Sequence, residues 1–439
     1  MRFYDREKEI KQLKRIREQS LRNAQFTVMT GRRRIGKTHL LLHATEEQPT
    51  LYFFVARKAE SDLCQDFQLE VQQKLGIPIL GSIHQFGKLF EFLMLESKKR
   101  SFNLILDEFQ EFNHVAPSIY SEMQHHWDLH KSNSKLNLMV SGSVHTLMHA
   151  IFENKEEPLF GRATQMLSLR SFETSVLKEI LDDHHSGWSA EDLLALYCFT
   201  GGVPKYIQMF MDEGAHSKQS MIELMIKEDS LFLLEGKNML IEEFGREYAV
   251  YFTILSAIAR GENTRRKLEG IVQREIGGYL TRLERDYGII SKQTPLFSKV
   301  ETKNVRYDIE DNFLTFWFRF VYKYGHLLEI RAYEELRRII DRDYSTFSGR
   351  ILERYFRQKL MEEKGLTRIG GYWDRKGESE IDLIAVNEFD RKAQFIEVKR
   401  NPDNVRPELL KKKAQHFLNA TGQLNGYEIS YKGLTMQDM

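Results

Sequence analysis

The chain has 439 residues, 41% hydrophobic and 29% charged, with 64 Lys and Arg against 63 Asp and Glu for a net charge of +1. That length exceeds one ordinary core and suggests about three domains, and the charge balance excludes a global basic field, so any nucleic acid must be held by a local patch. Two cysteines, Cys64 and Cys198, argue against a disulfide framework and against a structural zinc site.

The N-terminus, Met1 to Ile10, is charged and lacks the apolar core of a signal peptide. No run of eighteen apolar residues occurs, so no membrane span is expected, and the sequence reads as a soluble cytoplasmic protein. Residues Gln25–Thr30 read as a short buried strand and His39–Ala44 as the first turns of a helix. Between them, Gly31-Arg32-Arg33-Arg34-Ile35-Gly36-Lys37-Thr38 spells G-x-x-x-x-G-K-[ST], a phosphate-binding loop. Strand, glycine loop and helix turn backbone N–H groups and a helix N-terminus toward a triphosphate. Gly31 and Gly36 let the backbone approach without a Cβ in the way. Lys37 reaches the β- and γ-phosphates, and Thr38 offers its hydroxyl to Mg²⁺. Arg32, Arg33, Arg34 and Ile35 complete the loop around the nucleotide, with no catalytic role assigned to the arginines. The implied cofactors are ATP and Mg²⁺.

Leu51–Val55 reads as the next strand, and Phe102–Glu108 as another that ends in two acids. Downstream of a phosphate loop, Asp107 is expected to hold Mg²⁺ through its outer shell and Glu108 to polarise the attacking water. Such groups belong at the C-terminal end of a strand, where open α/β sheets bind ligands. His125, His126 and His130 fall on a helix near Trp127 and read as partly solvated, without a recognised ligand pattern. A strand over Leu136–Ser143 ends in small polar residues, where Ser141 or Ser143 can sense the γ-phosphate or serve only as a cap. Arg162 precedes a last strand, Gln165–Leu169, and is the candidate arginine finger, in cis or from a neighbouring copy in a homo-oligomer.

Residues 171–240 read as helices around a Gly-Gly-Val-Pro turn at 201–204, which suits a small lid. From 245 to 325 three helices precede a hairpin, a winged-helix pattern. Arg282 and Arg285 lie on the third helix, but Glu275, Glu284 and Asp286 thin its basic face, which favours protein contact or weak backbone binding. Farther on, Glu380–Val386 and Gln394–Arg400 read as strands. The period of two puts Glu397 and Lys399 on one face, and Asp382 on an antiparallel neighbour can meet them. Two carboxylates suit a hard divalent cation, and the lysine can orient water or stabilise developing charge. Glu353, on a helix upstream, is a further candidate ligand, and Lys411–Lys413 offer a local phosphate patch.

These residues resemble the prokaryotic ATPases that join an archaeal-type AAA+/STAND-like domain to a C-terminal DUF234 domain. The resemblance rests on Phe3–Glu7, Gly31–Thr38, Leu106–Gln110, Ser141–Ser143, Leu159–Arg162, Gly201–Pro204, Tyr307–Phe318 and the Asp382, Glu397 and Lys399 set. It implies ATP binding and hydrolysis, a winged helix, and a C-terminal fold similar to PD-(D/E)xK nucleases. Ile381 stands here where that motif carries proline. The expected fold class is α/β: a P-loop ATPase core with a parallel sheet over 1–170, a helical lid over 171–240, a winged helix over 241–325, and a restriction-endonuclease-like domain over 326–439. DNA is the expected partner, with a protein partner through the winged helix as a second expectation.

Overall fold

The computed structural model describes residues 1–142, 145–244, 247–299, 301–375 and 379–439. It divides into two compact units, one of Asp5–Arg170 and one of Met1–Tyr4 with Ser171–Met439. Among the described residues no helix is long and apolar enough to cross a membrane.

The first unit alternates helices and strands: α1 (Glu7–Ser20), β1 (Gln25–Thr30), α2 (Lys37–Thr45), β2 (Thr50–Phe54), α3 (Glu60–Leu75), α4 (Phe86–Lys99), β3 (Phe102–Asp107), α5 (Phe112–Val115), α6 (Ile119–His130), β4 (Leu136–Ser141), α7 (His145–Glu153) and β5 (Gln165–Ser168). All strand pairings are parallel, in the order β2-β3-β4-β1-β5. β3 and β4 are buried throughout and β1 nearly so, which is why they read as unbroken apolar runs rather than alternating ones. Parallel strands share one C-terminal edge. There β4 lies between β1 and β3, so the loop after β1 comes close to Asp107 at the end of β3, with Ser141 beside it.

Aromatic packing holds the helices to this sheet. Phe53 stacks on Phe67 at 4.1 Å, and Phe86 lies 4.5 Å from Phe112. Each fully buried phenylalanine contributes ~1.5–3 kcal/mol. α4 and α6 approach so closely at Gly87 that a Cβ there would stand 2.9 Å from Glu122 Cβ. α6 also departs from the sequence expectation. Met123, His126 and Trp127 fall on one buried stripe at helical spacing, so His126 is interior while His125 is exposed and His130 half-buried.

The second unit opens with four helices, α8 (Thr174–His184), α9 (Ala190–Thr200), α10 (Pro204–Asp212) and α11 (Lys218–Met225). Gly201 and Gly202 between α9 and α10 both take positive φ. A Cβ on Gly202 would stand 2.8 Å from the Phe172 carbonyl, so the turn demands glycine. α12 (Leu231–Phe244), α13 (Tyr248–Ala259), α14 (Arg265–Val272) and α15 (Gly277–Thr281) lead to a hairpin of β6 (Ile290–Gln293) and β7 (Arg306–Ile309). Past Thr281 α15 widens into a π-type turn through Asp286, and Arg282 pairs with Glu247 at 3.2 Å. α16 (Asn312–Phe316) and α17 (Gly325–Glu329) precede the 30-residue α18 (Tyr333–Glu362). Leu336, Ile340, Tyr344, Phe347, Ile351 and Tyr355 form the buried stripe of α18. Its last turn is fixed where Glu362 accepts the Thr174 amide at 3.0 Å.

The remainder is β8 (Arg368–Trp373), β9 (Glu380–Asn387), β10 (Lys392–Val398), α19 (Pro407–Thr421) and β11 (Glu428–Leu434). β8, β9 and β10 form an antiparallel meander, and α19 crosses over to lay β11 parallel to β10. With α18 in front, the element order is αβββαβ. Phe395, Ile384, Val386 and Phe417 are among its packed residues.

Candidate functional site

The loop from Gly31 to Gly36 leaves β1 with Gly31 at φ 146° and enters α2 with Gly36 at φ 90°. A Cβ on Gly31 would stand 2.7 Å from the Leu169 carbonyl. Lys37, buried, folds back over the loop and donates to the Gly31 carbonyl at 2.9 Å and the Arg32 carbonyl at 3.1 Å. Burial pushes its ammonium down to about 8, while Glu108 and Asp107 pull in the opposite direction.

Asp107 is the hub of this edge. Its Oδ2 accepts from Thr38 Oγ1 at 2.6 Å and from the Tyr52 hydroxyl at 2.9 Å. Its Oδ1 accepts from Ser141 Oγ at 2.5 Å and from the Glu108 amide at 3.1 Å. Burial, then the Asp107 charge, raises the Tyr52 phenol well above its ordinary range. The Thr38 hydroxyl against the Asp107 carboxylate is a hard-oxygen pair that fits Mg²⁺. Glu108 adopts φ 53°, a left-handed conformation uncommon for a non-glycine residue, and accepts from Gln110 Nε2 at 2.6 Å.

Sequence reasoning missed Tyr52. A tyrosine inside an apolar run reads as core, and only the pairing of Tyr52 with Ile105 shows that its hydroxyl can reach the end of β3. Ser143 lies outside the described residues. Arg162 is placed away from the loop within the chain. It precedes β5, whose first residue pairs with Thr27, and it bonds Asp128 on α6 at 3.2 Å. That is the N-terminal edge of the sheet, opposite the phosphate loop, so a finger at Arg162 cannot act in cis.

In the second unit, β9 and β10 pair with Ile384 opposite Phe395 and Leu383 opposite Ile396. Continuing that register sets Asp382 opposite Glu397. Lys399 Nζ bridges them, 3.1 Å from Asp382 Oδ2 and 3.7 Å from Glu397 Oε1. Two backbone amides complete the set: Val398 donates to Asp382 and Arg406 to Glu397, each at 2.8 Å. Burial opposes the Lys399 charge, but Asp382, Glu397 and Glu353 outweigh it and raise the ammonium above the usual lysine range. Glu353 on α18 joins this group electrostatically. Burial, then the Asp382 charge, pushes its carboxyl up to about 8, with Lys399 pulling the other way. Among the described residues Glu353, Asp382 and Glu397 do not close into a set of ligand atoms within 4.8 Å of one another.

A parallel sheet with a glycine loop at the edge that holds Asp107 defines a Walker-type ATPase core. Residues 3–210 match the family of an ATPase domain predominantly from Archaea, and residues 317–414 match DUF234, described as archaeal and bacterial proteins of unknown function. An uncharacterized protein of Methanocaldococcus jannaschii is 30% identical over 412 residues, spanning 90% of this chain and 87% of its own length. The chain belongs to this family of archaeal-type ATPases with a C-terminal DUF234 domain. A Walker-type ATPase of Pyrococcus abyssi shares the fold with a TM-score of 0.55 at 20% identity, over 72% of this chain and 96% of its own.

Proposed function

We propose that this chain hydrolyses ATP and that its nucleotide cycle controls Mg²⁺-dependent cleavage of DNA at the C-terminal carboxylate–lysine cluster. In the first unit, Gly31 to Lys37 cradle the triphosphate, with Lys37 released from the loop carbonyls to the β- and γ-phosphates. Thr38 and Asp107 would hold Mg²⁺, which supplies charge neutralisation on the phosphates. Glu108 orients the attacking water and Ser141 steadies Asp107. In the second unit, Asp382 and Glu397, with Glu353 coupled to them electrostatically, would hold the cation that stabilises charge on a phosphodiester. Lys399 orients the nucleophilic water or balances the developing negative charge.

The observation that carries the reading is Lys399 bridging Asp382 and Glu397 in a chain that also sets Thr38 on Asp107. Labelled duplex, single-stranded and branched DNA, incubated with Mg²⁺ and ATP, ADP or neither, tests it. Cleavage is expected only with ATP, and it should vanish in Glu397→Ala and Lys399→Ala. Equal cleavage by those variants means the site is wrong.

A second reading is supported by the same lysine. With its ammonium bonded to Asp382, the cluster suits a non-cleaving module that binds DNA or a protein partner under ATP control. It predicts binding that changes in Glu108→Gln, with no cleavage under any nucleotide condition.

A further inference from the structure

The helical face of the first unit contains a second cluster of ligand-bearing side chains, remote in role from the phosphate loop. α4 contributes Glu91, and α6 contributes His126 and His130, four residues apart and so on one face of the helix. One ligand atom from each of the three lies within 4.8 Å of the other two. His126 Nδ1 is buried and has no hydrogen-bond partner among the described residues, with only 9% of the side chain exposed. It faces Glu91 Oε1 at 3.8 Å. A buried ring nitrogen without a partner costs ~1–3 kcal/mol, and the contact with Glu91 does not meet hydrogen-bond distance.

We propose that Glu91, His126 and His130 bind a divalent transition-metal ion of the zinc class, clamping α4 to α6. Two imidazoles and one carboxylate form a nitrogen–oxygen set suited to such an ion, and cysteine is not needed. Bonds of ~2.0–2.2 Å hold tetrahedral ligands about 3.4 Å apart, so His126 and Glu91 at 3.8 Å must close by about 0.4 Å and no pair by more than about 1.4 Å. Burial holds both imidazoles below their ordinary range, in the neutral form that ligates. The close approach at Gly87 brings the two helices together independently of any ion. Two lysines oppose the cation: Lys88 lies 3.2 Å from Glu91 Oε2 and Lys98 lies 3.2 Å from His130 Nδ1. α4 leads into β3 and α6 into β4, so a clamp here stiffens the approach to the strands that end in Asp107 and Ser141.

The test uses full-length protein without a polyhistidine tag, stripped with chelator and kept in excess Mg²⁺ to fill oxygen sites. Co²⁺ is titrated and followed by its visible absorption, and Zn²⁺ is then used to displace it. One equivalent per chain with nitrogen-ligated absorption is expected, together with a rise in melting temperature. Glu91→Gln and His130→Ala should each weaken binding at least about tenfold, since even loss of an outer-shell partner costs ~10–100-fold. Lys98→Met should strengthen binding. Absence of nitrogen-ligated absorption, or equal binding by both ligand variants, overturns the proposal. If a variant fails to fold, X-ray absorption of the Zn²⁺-loaded parent decides: imidazole scattering supports the site and an all-oxygen shell overturns it.

Discussion

Replacing Asp107 with asparagine should separate the folding role of this residue from its chemical one. The carboxylate is buried and accepts four hydrogen bonds, two on each oxygen. In Asp107→Asn the amide oxygen takes the Oδ1 position and keeps the Ser141 hydroxyl and the Glu108 amide as donors. The amide nitrogen faces Thr38 and Tyr52, whose hydroxyls rotate to accept instead. The number of bonds is retained, but the charge is lost. Hydrogen bonds to a charged group contribute ~1.5–3 kcal/mol and neutral ones ~0.5–1.5 kcal/mol, so the folded state should lose ~2 kcal/mol in all after relaxation. In a domain of this size that lowers the melting temperature by ~4–8 °C. The effect on turnover is larger. An amide cannot balance Mg²⁺ beside Thr38, and losing ~3–4 kcal/mol of transition-state stabilisation slows hydrolysis ~10²–10³-fold. Phosphate release against Mg²⁺ concentration, paired with calorimetric melting, reads both. Tyr52→Phe is the control, because it removes one donor and leaves the charge, so turnover should fall by less than about tenfold. Asparagine turnover near that of the parent would falsify the assignment of Asp107 to the metal.

Lys37 should make ATP binding proton-linked. With its ammonium pushed down to about 8 in the free protein, the neutral form gains population as pH rises past that value. Bound phosphate restores the charge, so ATP uptake above pH 8 should draw a proton from buffer and affinity should fall with rising pH. Calorimetry in buffers of different ionisation enthalpy measures this, and an absence of proton uptake refutes it. Gly87→Ala should force α6 away from α4, because the added Cβ would meet Glu122 Cβ at 2.9 Å. A loss of ~1–3 kcal/mol in denaturant unfolding is expected, and unchanged stability would show that the helices yield without cost.

Legibility of the sites follows the range of the interactions that build them. The loop from Gly31 to Thr38 is set by local backbone geometry, so its residue types are written side by side, and the strand before it begins and ends at Gln25 and Thr30 as expected. Glu397 and Lys399 share a face because the strand period is two, and the expected meeting with Asp382 needed only one hairpin. Tyr52 was hidden because its role depends on β2 lying beside β3. Arg162 was misjudged for cis action because sequence order does not state which edge of a sheet a residue occupies. His126 was misjudged because the buried stripe of α6 is chosen by what packs against it.

The sequence by itself determined the nucleotide loop, the acid pair at the end of β3, the alternation of strands and helices, and the second set of carboxylates. Each is encoded in short spacings that reflect backbone periods of two or 3.6 residues. Tertiary structure alone decided that Asp107 gathers Thr38, Tyr52 and Ser141, that Lys399 bridges two strands, and that Glu91 meets His126 and His130. Those contacts join residues distant in the chain, and strand order, register and helix packing bring them within reach. No local period specifies that convergence.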